Sequence, residues 1–114
     1  MSNCIFCKII NGEILADKIY EDDELLAFRD LTPMAPVHFL VIPKKHIRNL
    51  MELESEDTIL AGRLLNKAQE LAKDQGCEEN GARFVINAKQ DGGQSVDHLH
   101  IHVLGGRLLG WPPG

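Results

Sequence analysis

The feature that most constrains the fold of this chain is the segment 98–103, in which histidines alternate with aliphatic residues. Successive side chains of a β-strand point to opposite faces of a sheet, so a period of two predicts a strand with two chemically different faces. The aliphatic face is suited to a hydrophobic core, and the opposite face meets solvent, a ligand or a metal ion. The residues of that polar face are His98, His100 and His102.

The rest of the sequence predicts a single α+β domain over residues 1–114. Short apolar or β-branched segments predict strands at 18–21, 25–28, 37–42, 83–88 and 95–104. A long amphipathic helix is predicted from 55 to 76, with Ser55 as its N-cap, and residues 4–10 predict a short helix or a looped knuckle. Because only one helix connects two of the strands, a mostly antiparallel sheet is favoured over a doubly wound one.

Composition and charge narrow the class of protein. The chain is 44% hydrophobic and 25% charged, as in folded globular domains, and its net charge of −5 argues against nucleic-acid binding. The N-terminal residues show no signal-peptide pattern and no apolar stretch is long enough for a membrane span, so we expect a cytoplasmic protein without membrane association. The three cysteines then indicate a reducing compartment, with Cys77 a free thiol near the end of the long helix.

Three interpretations of the histidine row remain open from the residues alone. The simplest is a solvated polar face. The second is a metal site, because two adjacent histidines of the row can share one zinc ion, although a third would need a bulge. The third is nucleophilic catalysis, since a neutral imidazole is a good nucleophile toward phosphorus near neutral pH. The middle residue, His100, is the best candidate because it has a polar neighbour on either side.

The loop that leads into the histidines favours the catalytic interpretation. Residues 91–95 read Asp-Gly-Gly-Gln-Ser. Glycines let backbone N–H groups approach phosphate oxygens closely, and the Ser95 hydroxyl adds a further donor. A Gly-Gly pair alone usually marks only a turn, so its position beside three histidines is what gives it weight.

A second motif is the C-x-x-C formed by Cys4 and Cys7. It has three interpretations: half of a zinc site, a redox dithiol, or two buried thiols. The redox interpretation requires a thioredoxin-like strand and helix, which the sequence does not predict. Zinc requires two further ligands, and His46 and His98 would complete a closed Cys₂His₂ tetrahedron, a composition typical of structural sites.

With these motifs in place, the sequence resembles the histidine triad (HIT) family, and specifically its Hint branch. The segment 98–103 matches the family's alternating His-φ-His-φ-His-φ motif, where φ is apolar. Further segments match in the same order at 28–31, 35–44, 91–96, 104–107 and 111–114. Position 97 departs from the branch, because Asp97 stands where an aromatic residue is usual.

The resemblance implies a HIT fold, a five-stranded antiparallel sheet with one long and one short helix, paired with a second copy across a two-fold axis. It implies a purine nucleoside phosphoramidase that cleaves the P–N bond of nucleoside 5′-phosphoramidates, or aminoacyl adenylates, through a covalent nucleotidyl-histidine and releases AMP or GMP. His100 would be the nucleophile, His102 would lie by the phosphate and leaving group, and His38 would support His100 in a relay. Trp111 would reach toward the partner's site.

The resemblance also implies the binding residues. Asp30 would hold the ribose, Leu31 would contact the purine, and Ser95 would act in catalysis as well as in binding. The complete set of implied nucleotide contacts is Asp30, Leu31, Asn87, Gly93, Gln94, Ser95, His100 and His102. Bacterial relatives that carry the cysteine pair resemble zinc proteins, which implies a structural zinc ion on Cys4, Cys7, His46 and His98.

Two rival functions are retained. In the first, zinc is catalytic, with His98 and His100 as ligands and water as the nucleophile; a site closed by cysteines argues against it, because it leaves no open coordination position. In the second, the chain is a nucleotide-binding regulatory protein with weak hydrolase activity.

Overall fold

Five antiparallel strands form one sheet in the order β1-β2-β3-β5-β4 in the computed structural model, which describes residues 3–114. The expected α+β architecture, with one long and one short helix, is confirmed. The strands are β1 Lys18–Glu21, β2 Leu25–Arg29, β3 Val37–Pro43, β4 Ala82–Val85 and β5 Ile101–Gly105. The helices are α1 Ile5–Ile10, α2 Thr58–Asp74 and a single turn, α3 Lys89–Gly92, with 3₁₀ turns at Leu50–Glu52 and Ser55–Asp57.

The two faces of the sheet carry separate hydrophobic clusters because side chains alternate along each strand. One cluster packs under α2 and contains the predicted aliphatic row, Leu99, Ile101 and Val103, all buried. The other packs under α1, where Phe6 and Ile9 meet the alternate side chains of β2 and β3. The candidate site lies on the α1 face, beside this second cluster.

The last strand is shorter than the sequence predicts. β5 begins at Ile101, so only His102 of the three histidines lies within the regular ladder, where it is opposite Leu40 of β3 and Val85 of β4. The backbone just before β5 is hydrogen-bonded outside the sheet: the Leu99 N–H donates to the Ile47 carbonyl at 2.7 Å. The alternation itself holds, because Leu99, Ile101 and Val103 all lie in the cluster under α2 while the rings of His98 and His100 contact Phe6 of α1. Only the extent of the regular strand differs from prediction.

Three further boundaries differ from prediction. β4 ends at Val85 instead of residue 88, and residues 89–92 form a helical turn instead of a loop, closed by Gly93 at φ 75°. The N-cap assignment of Ser55 is wrong, because Ser55 lies in a 3₁₀ turn and α2 begins at Thr58. Asp57 is the polar residue at this junction: its carboxylate accepts the Glu54 N–H at 3.0 Å and the Lys45 Nζ at 2.6 Å.

Two other expectations can be compared with the structure. Cys77, three residues after α2 ends, is a buried free thiol, as predicted. Across residues 3–114, none of the helices has the length and apolar content that crossing a bilayer would require.

Candidate active site and metal-ligand cluster

The ring of His100 is buried and held by one strong hydrogen bond. Its Nδ1 lies 2.6 Å from the His98 carbonyl oxygen. A carbonyl can only accept, so Nδ1 is the protonated nitrogen and Nε2 of the neutral ring retains its lone pair. Burial lowers the pKa of His100 below its usual value, against the smaller opposing effects of the His98 carbonyl and Asp30. His100 is therefore a neutral imidazole with a free nitrogen.

His102 and His38 form a pair beside His100. His38 Nε2 lies 3.0 Å from His102 Nδ1, and the His100 and His102 ring centroids are 4.9 Å apart. Burial, followed by the proximity of His100 and His38, lowers the pKa of His102 to about 4. The structure thus places His38 in direct contact with His102, whereas the implied relay has it supporting His100.

The position of His38 follows from the antiparallel register. His38 on β3 is opposite Leu104, and His102 is opposite Leu40, so the two histidines are diagonal neighbours on one face. Diagonal pairs lie within reach of long or aromatic side chains. His100 precedes the strand and does not share this ladder, which explains why the hydrogen bond goes to His102.

Asp30 lies at the start of the loop that connects β2 to β3, next to this pair. Its Oδ1 accepts the Thr32 N–H at 2.8 Å, and its Oδ2 lies 3.4 Å from His38 Nε2. The neighbouring Leu31 side chain is 93% exposed. A carboxylate beside an exposed apolar side chain is the arrangement that ribose hydroxyls and the face of a base would require.

Four side chains that the sequence proposes as metal ligands come together at the other end of the histidine segment. Cys4, Cys7, His46 and His98 each offer an atom within 4.8 Å of the others. His98 Nδ1 lies 3.3 Å from Cys4 Sγ, 3.7 Å from Cys7 Sγ and 3.2 Å from His46 Nδ1. Cys7 Sγ lies 3.3 Å from His46 Nδ1.

These separations fit a tetrahedral zinc site. With Zn–S near 2.3 Å and Zn–N near 2.0 Å, neighbouring ligand atoms of a tetrahedron are roughly 3.3 to 3.8 Å apart. The ring of His98 is oriented correctly for a ligand, because its Nε2 donates to the Pro43 carbonyl at 2.8 Å and leaves Nδ1 free to face the cluster. Burial lowers the pKa of His98 to about 4, so the ring is neutral.

The thiol of Cys7 lies in an environment that favours its neutral form. Burial raises the pKa of Cys7 to about 11, and the hydrogen bond and charge of Cys4 act in the same direction. A bound cation reverses this balance, because a coordinating thiol is deprotonated by the ion. The donor set therefore suits a divalent metal better than it suits a reactive dithiol.

Phe6 lies between the metal-ligand cluster and the candidate nucleophile His100, and it was not among the site residues predicted from the sequence. Its ring makes edge contacts with His98, His100 and Phe28, with centroid separations of 5.8, 5.2 and 5.5 Å. Since Phe6 stands inside the C-x-x-C motif, the segment that supplies two metal ligands also packs on the candidate nucleophile. An apolar residue in the helical stripe of α1 was the only sequence signal for this contact.

The loop proposed to bind phosphate, residues 91–95, lies directly before the histidines and is called the phosphate loop below. Gly93 and Ser95 in this loop are exposed, and Asn87, just ahead of it, is partly exposed. Gln94 differs from them, because its carboxamide makes three hydrogen bonds within the protein. Its Oε1 accepts the Lys89 N–H at 2.8 Å, and its Nε2 donates to the carbonyls of Arg48 and Val96 at 2.7 and 2.9 Å. Gln94 therefore ties the loop to the segment after His46, and its contact with a nucleotide stays a prediction.

The comparisons with known proteins agree with this geometry. The sequence pattern of the HIT domain matches residues 11–109. The chain belongs to the HIT family. An uncharacterized HIT-like protein from Synechococcus elongatus is 57% identical over 110 residues, which cover 96% of each protein.

Two solved structures extend the comparison. A HIT family hydrolase from Legionella pneumophila is 49% identical and superposes with a TM-score of 0.96 over 98% of this chain and 100% of that one. A histidine triad nucleotide-binding protein from Candida albicans is 33% identical, with a TM-score of 0.82 over 96% and 83% of the two chains. These relatives confirm the HIT fold expected from the sequence.

Proposed function

We propose that this HIT protein is a purine nucleoside phosphoramidase that works through a covalent nucleotidyl group on His100. The observation that carries the proposal is the hydrogen bond from His100 Nδ1 to the His98 carbonyl, because it fixes a neutral ring with its lone pair on Nε2. The names of the Legionella hydrolase and the Candida nucleotide-binding protein support a hydrolase that acts on nucleotides.

The reaction has two displacements at one phosphorus. In the first, the lone pair of His100 Nε2 attacks, the P–N bond breaks, and the departing amine takes the bonding electrons and a proton supplied by His102. In the second, water attacks the phosphorus, the bond between phosphorus and Nε2 breaks, and the proton that water loses replaces the one given to the amine. The Ser95 hydroxyl would stabilise the charge that develops on the phosphate oxygens, together with backbone N–H groups of the loop other than those of Gly93 and Gln94, which donate to the Gln90 and Lys89 carbonyls.

Nucleotide binding would use the open side of the site. Asp30 Oδ2 would accept the ribose hydroxyls and Leu31 would pack on the purine, with Asn87 near the phosphate. An apolar contact reads the face of a base and not its edge, so adenine and guanine are both expected as substrates. The rival in which zinc activates water is less well supported, because the metal-ligand cluster uses His98 without His100.

The decisive experiment is intact mass spectrometry after brief exposure to an adenosine 5′-phosphoramidate, with quenching in denaturant. We expect a mass increase of one nucleotidyl group, located on His100 by peptide mapping among the five histidines of the chain. His100→Asn should show no adduct while it still binds AMP. An adduct on another residue, or steady turnover by His100→Asn, would contradict the proposal.

We further propose that Cys4, Cys7, His46 and His98 hold a structural zinc ion, supported by the ligand separations given above. The ion would cross-link the N-terminal helix to the catalytic segment and would supply no reacting group. Protein purified without chelator should contain one zinc per chain. Cys7→Ser should lose the metal and melt at a lower temperature, whereas Cys77→Ser should retain it. Purified protein without zinc would exclude this site.

We also propose a homodimer, as the family resemblance implies. β4 is an edge strand that pairs only with β5, and its Phe84 is 43% exposed. Two apolar side chains of α2 are also exposed, Ile59 at 78% and Leu65 at 55%. Sedimentation should show a dimer that Leu65→Glu disrupts and Leu15→Glu, at an exposed position outside α2 and β4, does not. A monomeric wild-type protein would contradict the assembly.

A further inference from the structure

The hydrogen bonds around His38 determine where its single ring proton lies. The Met34 backbone N–H donates to His38 Nδ1 at 3.0 Å. A backbone amide cannot accept, so Nδ1 must carry the lone pair. In a neutral imidazole the other nitrogen then carries the hydrogen. His38 is therefore protonated on Nε2, the nitrogen that faces His102.

The same reasoning passes from His38 to His102. His38 Nε2 lies 3.0 Å from His102 Nδ1. Because His38 is the donor across this contact, His102 Nδ1 is the acceptor and carries a lone pair. The remaining nitrogen of His102, Nε2, must then hold the hydrogen. One backbone amide thus fixes the proton positions of two rings in series.

We propose that the Met34 N–H sets the direction of this hydrogen-bond chain and so makes His102 a neutral proton donor toward the leaving group. This inference rests on the proposed function for its catalytic consequence, but the tautomers themselves do not depend on it. His38 acts as a positioning residue, because it works through His102 and not on the substrate.

The hydrogen-bond chain also argues against a metal ion on Asp30, His38 and His102, although their polar atoms lie within 4.8 Å of one another. A metal ion needs the lone pair of His38 Nε2, and the Met34 N–H holds that nitrogen in its protonated form. Asp30 Oδ2 lies 3.4 Å from the same nitrogen, so the carboxylate is close to the protonated Nε2.

The backbone of Met34 is itself held in place by Arg107, which lies two residues after the end of β5. The guanidinium of Arg107 donates to the Met34 carbonyl, with Nη2 at 2.9 Å and Nε at 3.3 Å. Arg107 follows the strand that carries His102, so the loop that sets the proton is fixed relative to the ring that uses it. The two reactive rings consequently differ: His100 offers a lone pair on Nε2 and His102 offers an N–H, and no proton has to move between them first.

The first test is direct observation of the tautomers in ¹⁵N-labelled wild-type protein without substrate. Long-range ¹H–¹⁵N correlation at neutral pH distinguishes a protonated ring nitrogen from an unprotonated one. We expect both His38 and His102 to be protonated on Nε2 only. A His102 ring protonated on Nδ1, or charged at neutral pH, would overturn the inference even if the protein proved to be a phosphoramidase.

Variants test whether the amide is the cause. Met34→Pro removes the N–H, and we expect it to give a mixture of His38 tautomers, whereas Met34→Ala keeps the N–H and should keep the wild-type pattern. Because proline can disturb this loop, a second pair is needed. His38→Gln can still donate to His102 Nδ1 through its amide, and His38→Leu cannot. Unchanged His102 tautomers in both His38→Leu and Met34→Pro would overturn the proposal.

Leaving-group dependence separates proton donation from a structural role. General acid catalysis contributes on the order of 10²- to 10⁴-fold to rates. His38→Leu should lose activity in that range on an alkylamine phosphoramidate, whose amine must be protonated to leave. It should lose less than about tenfold on a p-nitrophenyl ester of the same nucleotide, whose leaving group needs no proton, and His38→Gln should recover most of the difference. Equal losses on both substrates would refute the donor role while leaving the covalent mechanism intact.

Discussion

Gly105, the last residue of β5, provides a test of how closely the sheet packs against the end of α2. A Cβ atom placed on Gly105 would lie 2.5 Å from Cys77 Sγ, 3.5 Å from the Gly81 carbonyl oxygen and 3.6 Å from Ala82 Cβ. Only the first distance is shorter than an ordinary contact. Gly105→Ala is therefore expected to destabilise the protein through a single atom, the buried sulfur of Cys77.

The sign of this effect is informative because the backbone alone predicts the opposite. Gly105 is an ordinary strand residue, and replacing such a glycine with alanine normally stabilises a protein by about 0.4 to 1 kcal/mol. Overpacking a core by one methyl group costs about 1 to 3 kcal/mol. The net expectation for Gly105→Ala is a loss of about 1 to 2 kcal/mol in the free energy of unfolding.

A double-mutant cycle isolates the contact. Cys77→Ala alone removes one buried atom and should cost about 1 kcal/mol. In the double variant the new methyl group fills the space that the sulfur leaves, so it should be at least as stable as Cys77→Ala, with a coupling energy of about 1 to 3 kcal/mol. Guanidinium unfolding with unchanged m-values measures all four proteins. A Gly105→Ala protein as stable as wild type, or effects that add within about 0.5 kcal/mol, would show that the sulfur moves aside freely.

Two further predictions follow from other parts of the site. In the metal-free protein the pKa of His98 is about 4 when folded, against 6.5 for an unperturbed histidine, so the stability that this ring contributes above pH 6.5 should be lost as the pH falls toward 4. His102 titrates in the same range, so the contribution of His98 is measured as a difference: between pH 7 and pH 4 the free energy of unfolding should fall by about 3 kcal/mol more in the wild-type protein than in His98→Asn. Gln94→Met keeps the shape of the side chain but removes its three hydrogen bonds and should cost about 2 kcal/mol in guanidinium unfolding. The exposed Gln90→Met is the control, and an equal effect of both changes would contradict the role of Gln94.

Much of the fold could be predicted because it depends on local patterns. The alternation at 98–103 correctly placed the aliphatic row in the core, and the strands around Asp22 and after Pro36 follow from apolar and β-branched residues. The predicted length of β5 was wrong, because the strand begins at Ile101 and not at residue 95. The Leu99 N–H bonds to the Ile47 carbonyl, which lies far away in sequence, and a period of two does not reveal that the ladder stops at residue 101.

In the site, too, the residue types could be predicted from the sequence, but the contacts between residues distant in the chain could not. The types of residue needed for a Cys₂His₂ cluster were visible in the sequence, and the four side chains lie together. The roles of Gln94 and His38 depend on partners 46 and 64 residues away, so their residue types alone could not indicate which atom each would contact. The N-cap was misassigned for a related reason: Ser55 suits a cap by type, but Lys45, distant in the chain, holds Asp57 at the helix junction.

The central place of β5 in the sheet has a consequence for motion. Hydrogen-bonded neighbours on both sides make this strand part of the region that exchanges its amide hydrogens only when the whole domain opens, whereas the loop at 89–97 can open in local fluctuations. His102 therefore lies in the slowly exchanging strand, whereas the phosphate loop lies in the segment whose amides exchange fast. Deuterium uptake should be slow at the backbone amides around His102 and faster in the loop at 89–97 that is proposed to receive the phosphate.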